Sequence, residues 1–313
     1  MTQQTKDMSS QPIIVVSGAT GNTGKHVVKL LSQVKDVKVR AAVHSLEKAR
    51  ELPENVEVVQ MDYAQPETVV SAFAGATKLY LVPPSDPNRV RSEIAPIMVE
   101  AAKKAGIQYI VLISGLGIDR EPITPTDREF YLQVEGIVVD SGITHTILRC
   151  SWFHQNFISP VFFGPQVQQG VVRLPVGEGR TGWIDARDIA AVAATVLTQT
   201  GHENKIYNLT GPEALTTSEL TTILSKAAAR EIKFMDVSEE SFAQMLRNFG
   251  TRELLIQGMI DIMGKWKIGA HDIVTPDVEK VTGKKPISFE QFAIDQAHLL
   301  RQSDSSGHEV LAT

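Results

Sequence analysis

Gly18, Gly21 and Gly24 give the clearest chemical signal in this chain. They stand at the spacing G-x-x-G-x-x-G, directly after the β-branched run Ile13-Ile14-Val15-Val16 and just before His26-Val27-Val28-Lys29-Leu30-Leu31, which takes up helical periodicity. Strand, tight turn and helix in that order make a cradle for a pyrophosphate. Gly18 lets the chain reverse, Gly21 lets the backbone approach the phosphates, and Gly24 lets the helix lie close to the strand. The helix begins with free N–H groups and a partial positive charge, and Thr20, Asn22 and Thr23 fill the turn between the glycines. This is the pattern of a dinucleotide site.

The second group of residues bears on which dinucleotide. A site built for NAD places an Asp or Glu about 20 residues past the glycines to accept the ribose hydroxyls. Here that place holds His44 and Ser45, with Arg40, Lys48 and Arg50 nearby. Nothing there repels a 2′-phosphate and several cations attract one, so NADP(H) is expected, with NAD(H) as a second cofactor. Asp62 and Tyr63 end a third apolar run. They can hydrogen-bond and cover an adenine, or Asp62 can cap the helix that Pro66 starts.

The third group is where a substrate would react. Val82 and Pro83 end a fourth strand and lead into the irregular Pro83-Pro84-Ser85-Asp86-Pro87, and ligands of open α/β sheets lie at such carboxyl ends. Ser114 ends a fifth strand, where it can orient a nicotinamide amide or a substrate oxygen, or serve only as a turn hydroxyl. Trp152, Phe153 and His154 open an aromatic stretch that can supply a substrate platform with Pro84, or simply core. With no second His or Cys near His154, no metal site is expected. No nucleophile elbow appears, which argues against hydrolysis.

Around these residues the chain alternates strand and helix. Strands are expected at Ile13 to Val16, Val37 to Val43, Val56 to Tyr63, Lys78 to Val82, Ile107 to Ser114 and Ile143 to Leu148. Helices lie between them, one from Asn88 to Ala105 closed by Gly106, and one opened by the capping box Thr126-x-x-Glu129 and ended by Gly142. Six strands in this rhythm imply an α/β, Rossmann-like, doubly wound parallel sheet. Beyond Cys150 the pattern turns mostly helical: strands near Lys205 to Leu209 and Glu231 to Met235 flank a helix opened by the capping box Thr216-x-x-Glu219, and Ser288-x-x-Gln291 opens the last helix. The organisation expected is a tail over residues 1–11, an NAD(P)-binding domain over 12–150, a smaller, mostly helical substrate-binding cap over 151–302 and a second tail over 303–313.

Bulk properties exclude several classes. The 313 residues are 42% hydrophobic and carry a net charge of −5, enough apolar material for a large core and no basic footprint for nucleic acid. The lone Cys150 forbids an internal disulfide and reads as a small buried hydrophobe. The amino-terminal residues lack the apolar core of a signal peptide, and no apolar run reaches the roughly 18 residues of a membrane span. A cytoplasmic monomer or homodimer, with no membrane partner, is expected.

Four spaced motifs, Gly18-Ala19-Thr20-Gly21-Asn22-Thr23-Gly24, Leu148-Arg149-x-x-Trp152-Phe153-x-x-Asn156-Phe157, Asp185-x-x-Asp188-Ile189-Ala190 and Gly211-Pro212-Glu213-x-Leu215-Thr216, together resemble the NmrA-like family of atypical short-chain dehydrogenase/reductases. The likeness runs from about Ile13 to about Ala297. Within the family the chain is most similar to the triphenylmethane and quinone reductase branch and to the festuclavine synthase type. Tyr80-Leu81-Val82-Pro83-Pro84 and Val281-Thr282-Gly283-Lys284-Lys285-Pro286 are similar to the latter. The resemblance implies NADP(H) held through Gly18, Gly21 and Gly24, with the second half closing the substrate pocket. The nucleotide-specificity position, often Arg in the family, is His44 here.

Ordinary short-chain dehydrogenases activate a Tyr with a Lys four residues later. Tyr131 is followed at that spacing by Glu135, which favours the neutral phenol, so the dyad is absent and Tyr131 can give only a weak hydrogen bond. An iminium ion, quinone, quinone methide or triarylmethyl cation accepts hydride without a strong acid. The expected activity is therefore NADP(H)-dependent reduction of an electron-poor aromatic, heterocyclic or alkaloid-like small molecule. The rival is a non-catalytic, NAD(P)-sensing regulator of the NmrA type.

Overall fold

The computed structural model describes residues 11–83 and 89–301. Both terminal tails, apart from Gln11, and Pro84 with its loop lie outside the described residues. In chain order the elements of the first half are β1 (Ile13–Ser17), α1 (Gly24–Leu31), β2 (Lys38–Val43), β3 (Glu57–Gln60), α2 (Pro66–Phe73), β4 (Lys78–Leu81), α3 (Arg91–Ala105), β5 (Tyr109–Gly115), α4 (Pro125–Asp127), α5 (Gln133–Asp140) and β6 (Thr144–Cys150). The second half holds α6 (Gly164–Gln168), β7 (Val171–Leu174), β8 (Arg180–Thr181), α7 (Ala186–Thr198), β9 (Lys205–Leu209), β10 (Leu215–Thr216), α8 (Thr217–Ala228), β11 (Lys233–Asp236), α9 (Glu239–Asn248), α10 (Glu253–Lys267), α11 (Asp277–Thr282), α12 (Phe289–Asp295) and α13 (Ala297–Arg301).

The main sheet has seven strands in the order β3-β2-β1-β4-β5-β6-β9, every pair parallel. Its strands are apolar runs because both faces are covered. Ile14, Val16, Val39, Ala41 and Val111 pack under α1 and α7, while Val15, Ala42, Leu79, Ile110 and Leu112 pack under α2, α3 and α5. The order reverses between β1 and β4, which opens the crevice that such sheets use for ligands.

The seventh strand and α7 both come from the second half of the chain, beyond the six strands legible in the first. The rest of that half forms its own core around Phe157, Phe163, Trp183, Trp266, Phe289 and Phe292, joined by the short ladders β7–β11 and β8–β10. Among the described residues no helix is long and apolar enough to cross a membrane.

Two local expectations are corrected. The capping box is Thr124 with Asp127, not Thr126 with Glu129. Pro125 has no N–H and fits the first helical position, so the residue before it becomes the cap. Thr126 Oγ1 instead donates to Asp261 Oδ2 at 2.7 Å. The third strand ends at Gln60, short of Tyr63, because Asp62 Oδ1 accepts the Ala64 N–H at 2.9 Å and turns the chain toward α2. Gln65, not Asp62, is the N-cap of α2.

Candidate active site

The turn between β1 and α1 is built as a cradle. Gly18 takes φ +61°, and a Cβ on Gly24 would lie 2.8 Å from the Gly18 carbonyl carbon and 2.9 Å from Ala19 Cα, so only glycine permits this packing. Thr23, the N-cap of α1, makes no side-chain cap; its hydroxyl oxygen accepts from buried Tyr80 Oη at 2.9 Å. Ser17 Oγ donates to Tyr80 O at 3.1 Å and accepts the Val82 N–H at 2.8 Å, locking the end of β1 to β4. The first turn of α1 carries no acid, so nothing cancels its dipole for an anion. These residues fit a dinucleotide diphosphate, with Thr20, Gly21 and Asn22 forming the rest of the turn.

His44 follows β2 directly and is exposed, as is Lys48 in the 3-10 turn after it. Arg40 leaves the cationic group: its Nη1 donates to Ala72 O and Ala74 O, and its Nε lies 2.9 Å from Glu57 Oε2. The period of two along β2 sends Arg40 to the α2 face of the sheet. Asp62 and Tyr63 are half-buried beyond β3, Tyr63 against the α2 and α3 core. Val82 lies beside Gly18, 3.5 Å from where a Cβ on Gly18 would stand.

At the end of β5 the Tyr131 ring lies against Gly115, the residue after Ser114. A Cβ on Gly115 would lie 3.0 Å from Tyr131 Cε1, so the glycine lets the phenol ring lie against the strand end. Tyr131 sits in a π-helical turn, Arg128–Leu132, and the Arg91 guanidinium lies 5.2 Å from its ring centroid. Glu135 accepts from Ser114 Oγ at 2.6 Å and from Arg149 Nε at 3.0 Å and Nη2 at 2.7 Å. The Glu135 carboxylate in turn holds Arg149 above the usual guanidinium value.

A buried lysine holds the loop that follows β5. Lys265 Nζ on α10 donates to Gly117 O, Arg120 O and Asp127 Oδ2 at 2.7, 3.0 and 2.8 Å. All three of its N–H bonds are thereby used. Neither this strut nor the Arg149 partner of Glu135 was read from sequence, although each charge interrupts an otherwise apolar face and so demands a partner.

The aromatic stretch after β6 faces largely inward. Trp152 is half-buried and stacks on Phe163 at 6.0 Å, and Phe153 is half-buried against the first core. His154 is wholly enclosed, its ring 5.1 Å from that of Phe289 and 5.3 Å from that of Phe292, with Nδ1 3.8 Å from Asp185 Oδ2. Burial holds it below the ordinary imidazole value. Cys150 is buried, and its thiol is pushed up.

Residues 10–293 match the NmrA-like family. The chain belongs to that family. It is similar to the NAD(P)H azoreductase of Xenophilus azovorans, 34% identical over 283 residues that span 90% of this chain and 96% of that protein. It is 31% identical to quinone oxidoreductase 2 of Escherichia coli over 260 residues, 82% of this chain and 88% of that one. Among solved structures, the Citrobacter sp. triphenylmethane reductase complexed with NADP(H) superposes with a TM-score of 0.77 at 30% identity, covering 91% of this chain and 99% of that chain.

Proposed function

We propose that this chain reduces an electron-poor aromatic or heterocyclic acceptor, a quinone, iminium or related conjugated C=N or C=O compound, with NADPH as preferred donor. It is an NAD(P)H-dependent oxidoreductase of the NmrA-like family, a statement that the azoreductase and quinone reductase likenesses support together with the glycine cradle. When bound, the nicotinamide supplies a hydride; the protein binds, orients and excludes water. The diphosphate belongs at Gly18 to Gly24, the ribose phosphate near His44 and Lys48, the adenine near Asp62 and Tyr63, and the nicotinamide half near Val82, Pro83 and Ser114. Trp152 and Phe153, half-buried, are the proposed substrate contacts.

The observation that carries the acceptor class is the state of the groups around Tyr131. The residue four positions on is Glu135, whose carboxylate is spent on Arg149 and Ser114, and the Lys265 ammonium is spent on Asp127 and two carbonyls. Neither takes the place of the dyad's free Lys, and the Arg91 guanidinium lies over the face of the Tyr131 ring, so the ordinary Tyr–Lys dyad is absent. An acceptor that needs no strong acid suits such a site; a plain aldehyde does not.

The test is a panel of quinones, iminium ions, azo and triarylmethane dyes and simple aldehydes, each mixed with protein and NADPH while the reduced-nicotinamide absorbance is followed. Turnover of the conjugated acceptors at rates at least a hundredfold above the aldehydes is the expected result. NADPH binding with no turnover across the panel would favour the regulatory reading, and equal rates on aldehydes would overturn the acceptor class.

A further inference from the structure

The proton of Ser114 has a fixed destination. Its Oγ is 2.6 Å from Glu135 Oε1, and that carboxylate is gripped by Arg149 through Nε at 3.0 Å on Oε1 and Nη2 at 2.7 Å on Oε2. A carboxylate locked into a guanidinium fork has no proton to give and can only accept. The serine must therefore donate to Glu135, and all it offers any other group is its lone pairs. A serine turned this way cannot donate to a substrate carbonyl or a developing alkoxide. It can only receive an N–H or O–H.

The arrangement is held from several sides. Ser114 and Arg149 are register partners on β5 and β6, Glu135 comes from α5, and both Ser114 and Glu135 are buried. Arg149 Nη1 also donates to Asp119 Oδ2 at 2.5 Å, which fixes the guanidinium from its far end. Rotating the serine away would leave Glu135 Oε1 with only the longer bond from Arg149 Nε.

The position of Ser114 narrows the donors it can meet. β4 and β5 lie on the opposite side of the β1/β4 reversal from β2 and β3. A dinucleotide with its diphosphate on the Gly18 turn and its adenosine half over β2 and β3 carries its nicotinamide half over β4 and β5. That half offers the ribose O–H groups and the carboxamide N–H, and the two nucleotides compared below differ only at the carboxamide. We infer that Ser114 accepts a hydrogen bond from the nicotinamide carboxamide N–H, and that Glu135 and Arg149 are positioning residues that hold the serine in its accepting orientation. This rests on the dinucleotide reading above, not on the identity of the acceptor substrate.

The experiment compares two nucleotides by binding alone, in the full chain: NADPH and its reduced 3-acetylpyridine analogue, in which a methyl group replaces the carboxamide nitrogen and the carbonyl is kept. By titration calorimetry the unaltered protein is expected to bind NADPH about tenfold more tightly, equivalent to ~1.4 kcal/mol. Ser114→Ala is expected to bind the two within about twofold, chiefly by loss of NADPH affinity, and Ser114→Thr, which keeps a hydroxyl, to retain the preference. Glu135→Gln, whose amide can itself donate to the serine, is expected to lower the preference to about threefold or less. If Glu135→Gln fails to fold, the two Ser114 variants, which alter no charge, still decide the matter. Equal affinities in the unaltered protein, or a tenfold preference surviving in Ser114→Ala, would overturn the inference. No binding of NADPH at all would instead overturn the dinucleotide reading, and binding without turnover would leave this inference standing while removing the proposed acceptor chemistry.

Discussion

Gly24 is the residue of the cradle with least freedom. Its missing Cβ would meet backbone atoms of Gly18 and Ala19, which cannot swing aside as a side chain would. Gly24→Ala is expected to open the turn, cost about 3 kcal/mol of stability and weaken NADPH binding at least a hundredfold, read by denaturant unfolding and calorimetry. His44 is the opposite case: exposed, at the end of β2, and free to change without disturbing packing. His44→Arg is expected to raise the NADPH-to-NADH preference in Kd about tenfold, since a guanidinium grips a phosphate through paired N–H groups. Both positions were legible in the sequence because glycine spacing and the residue after a strand are local signals. The Arg40 side chain was misplaced because nearness in sequence was read without the alternation of faces along β2, which turns it to Ala72 and Ala74.

Between elements, the Lys265–Asp127 pair joins α10 of the second half to the helical turn that follows β5. Removing one partner of a buried pair leaves an uncompensated charge and commonly costs about 3–5 kcal/mol. Lys265→Met is expected to lose stability in that range by urea unfolding, and Lys265→Met with Asp127→Leu to recover most of it. Elements whose ends are signalled by neighbouring residues were legible: the capping box of α8 and the Ser288 cap of α12 stand where their sequences put them. The α4 box was missed by two residues, because the overlapping pair Thr126 and Glu129 has the same pattern and only Pro125 breaks the tie. The Lys265–Asp127 strut spans 138 positions, and no local pattern encodes such a partnership.

At the scale of the molecule, β9 and α7 weave the second half of the chain into the main sheet, and a buried carboxylate ties that seam. Asp188, near the start of α7, accepts the Ile287 N–H at 2.8 Å just ahead of α12. Burial pushes its carboxyl up to about 7, with Asp185 adding to the effect. The folded state thus holds its proton more tightly than the unfolded chain, whose carboxyl titrates near ~3.9. The stability this confers is present below about pH 4 and is lost as pH rises toward 7. Asp188→Asn keeps an acceptor for Ile287 without the charge, so its melting temperature is expected to exceed that of the unaltered protein at pH 8 and to match it below about pH 4. The parallel architecture could be read from alternating apolar runs, and the strand at Lys205 to Leu209 could be read by itself, but its place beside β6 in the main sheet could not, because that pairing depends on contacts far apart in the chain.

The chain contains three tryptophans, Trp152, Trp183 and Trp266, and their ring centroids lie 5.2 to 5.9 Å from one another. At such separations the indoles exchange excitation and behave as one chromophore. Tryptophan emission from this molecule is therefore a thermometer placed in a single room: it registers melting of the aromatic core of the second half and is silent about the glycine cradle. A mid-transition gap between emission and far-ultraviolet dichroism would show the two halves parting company before either is lost.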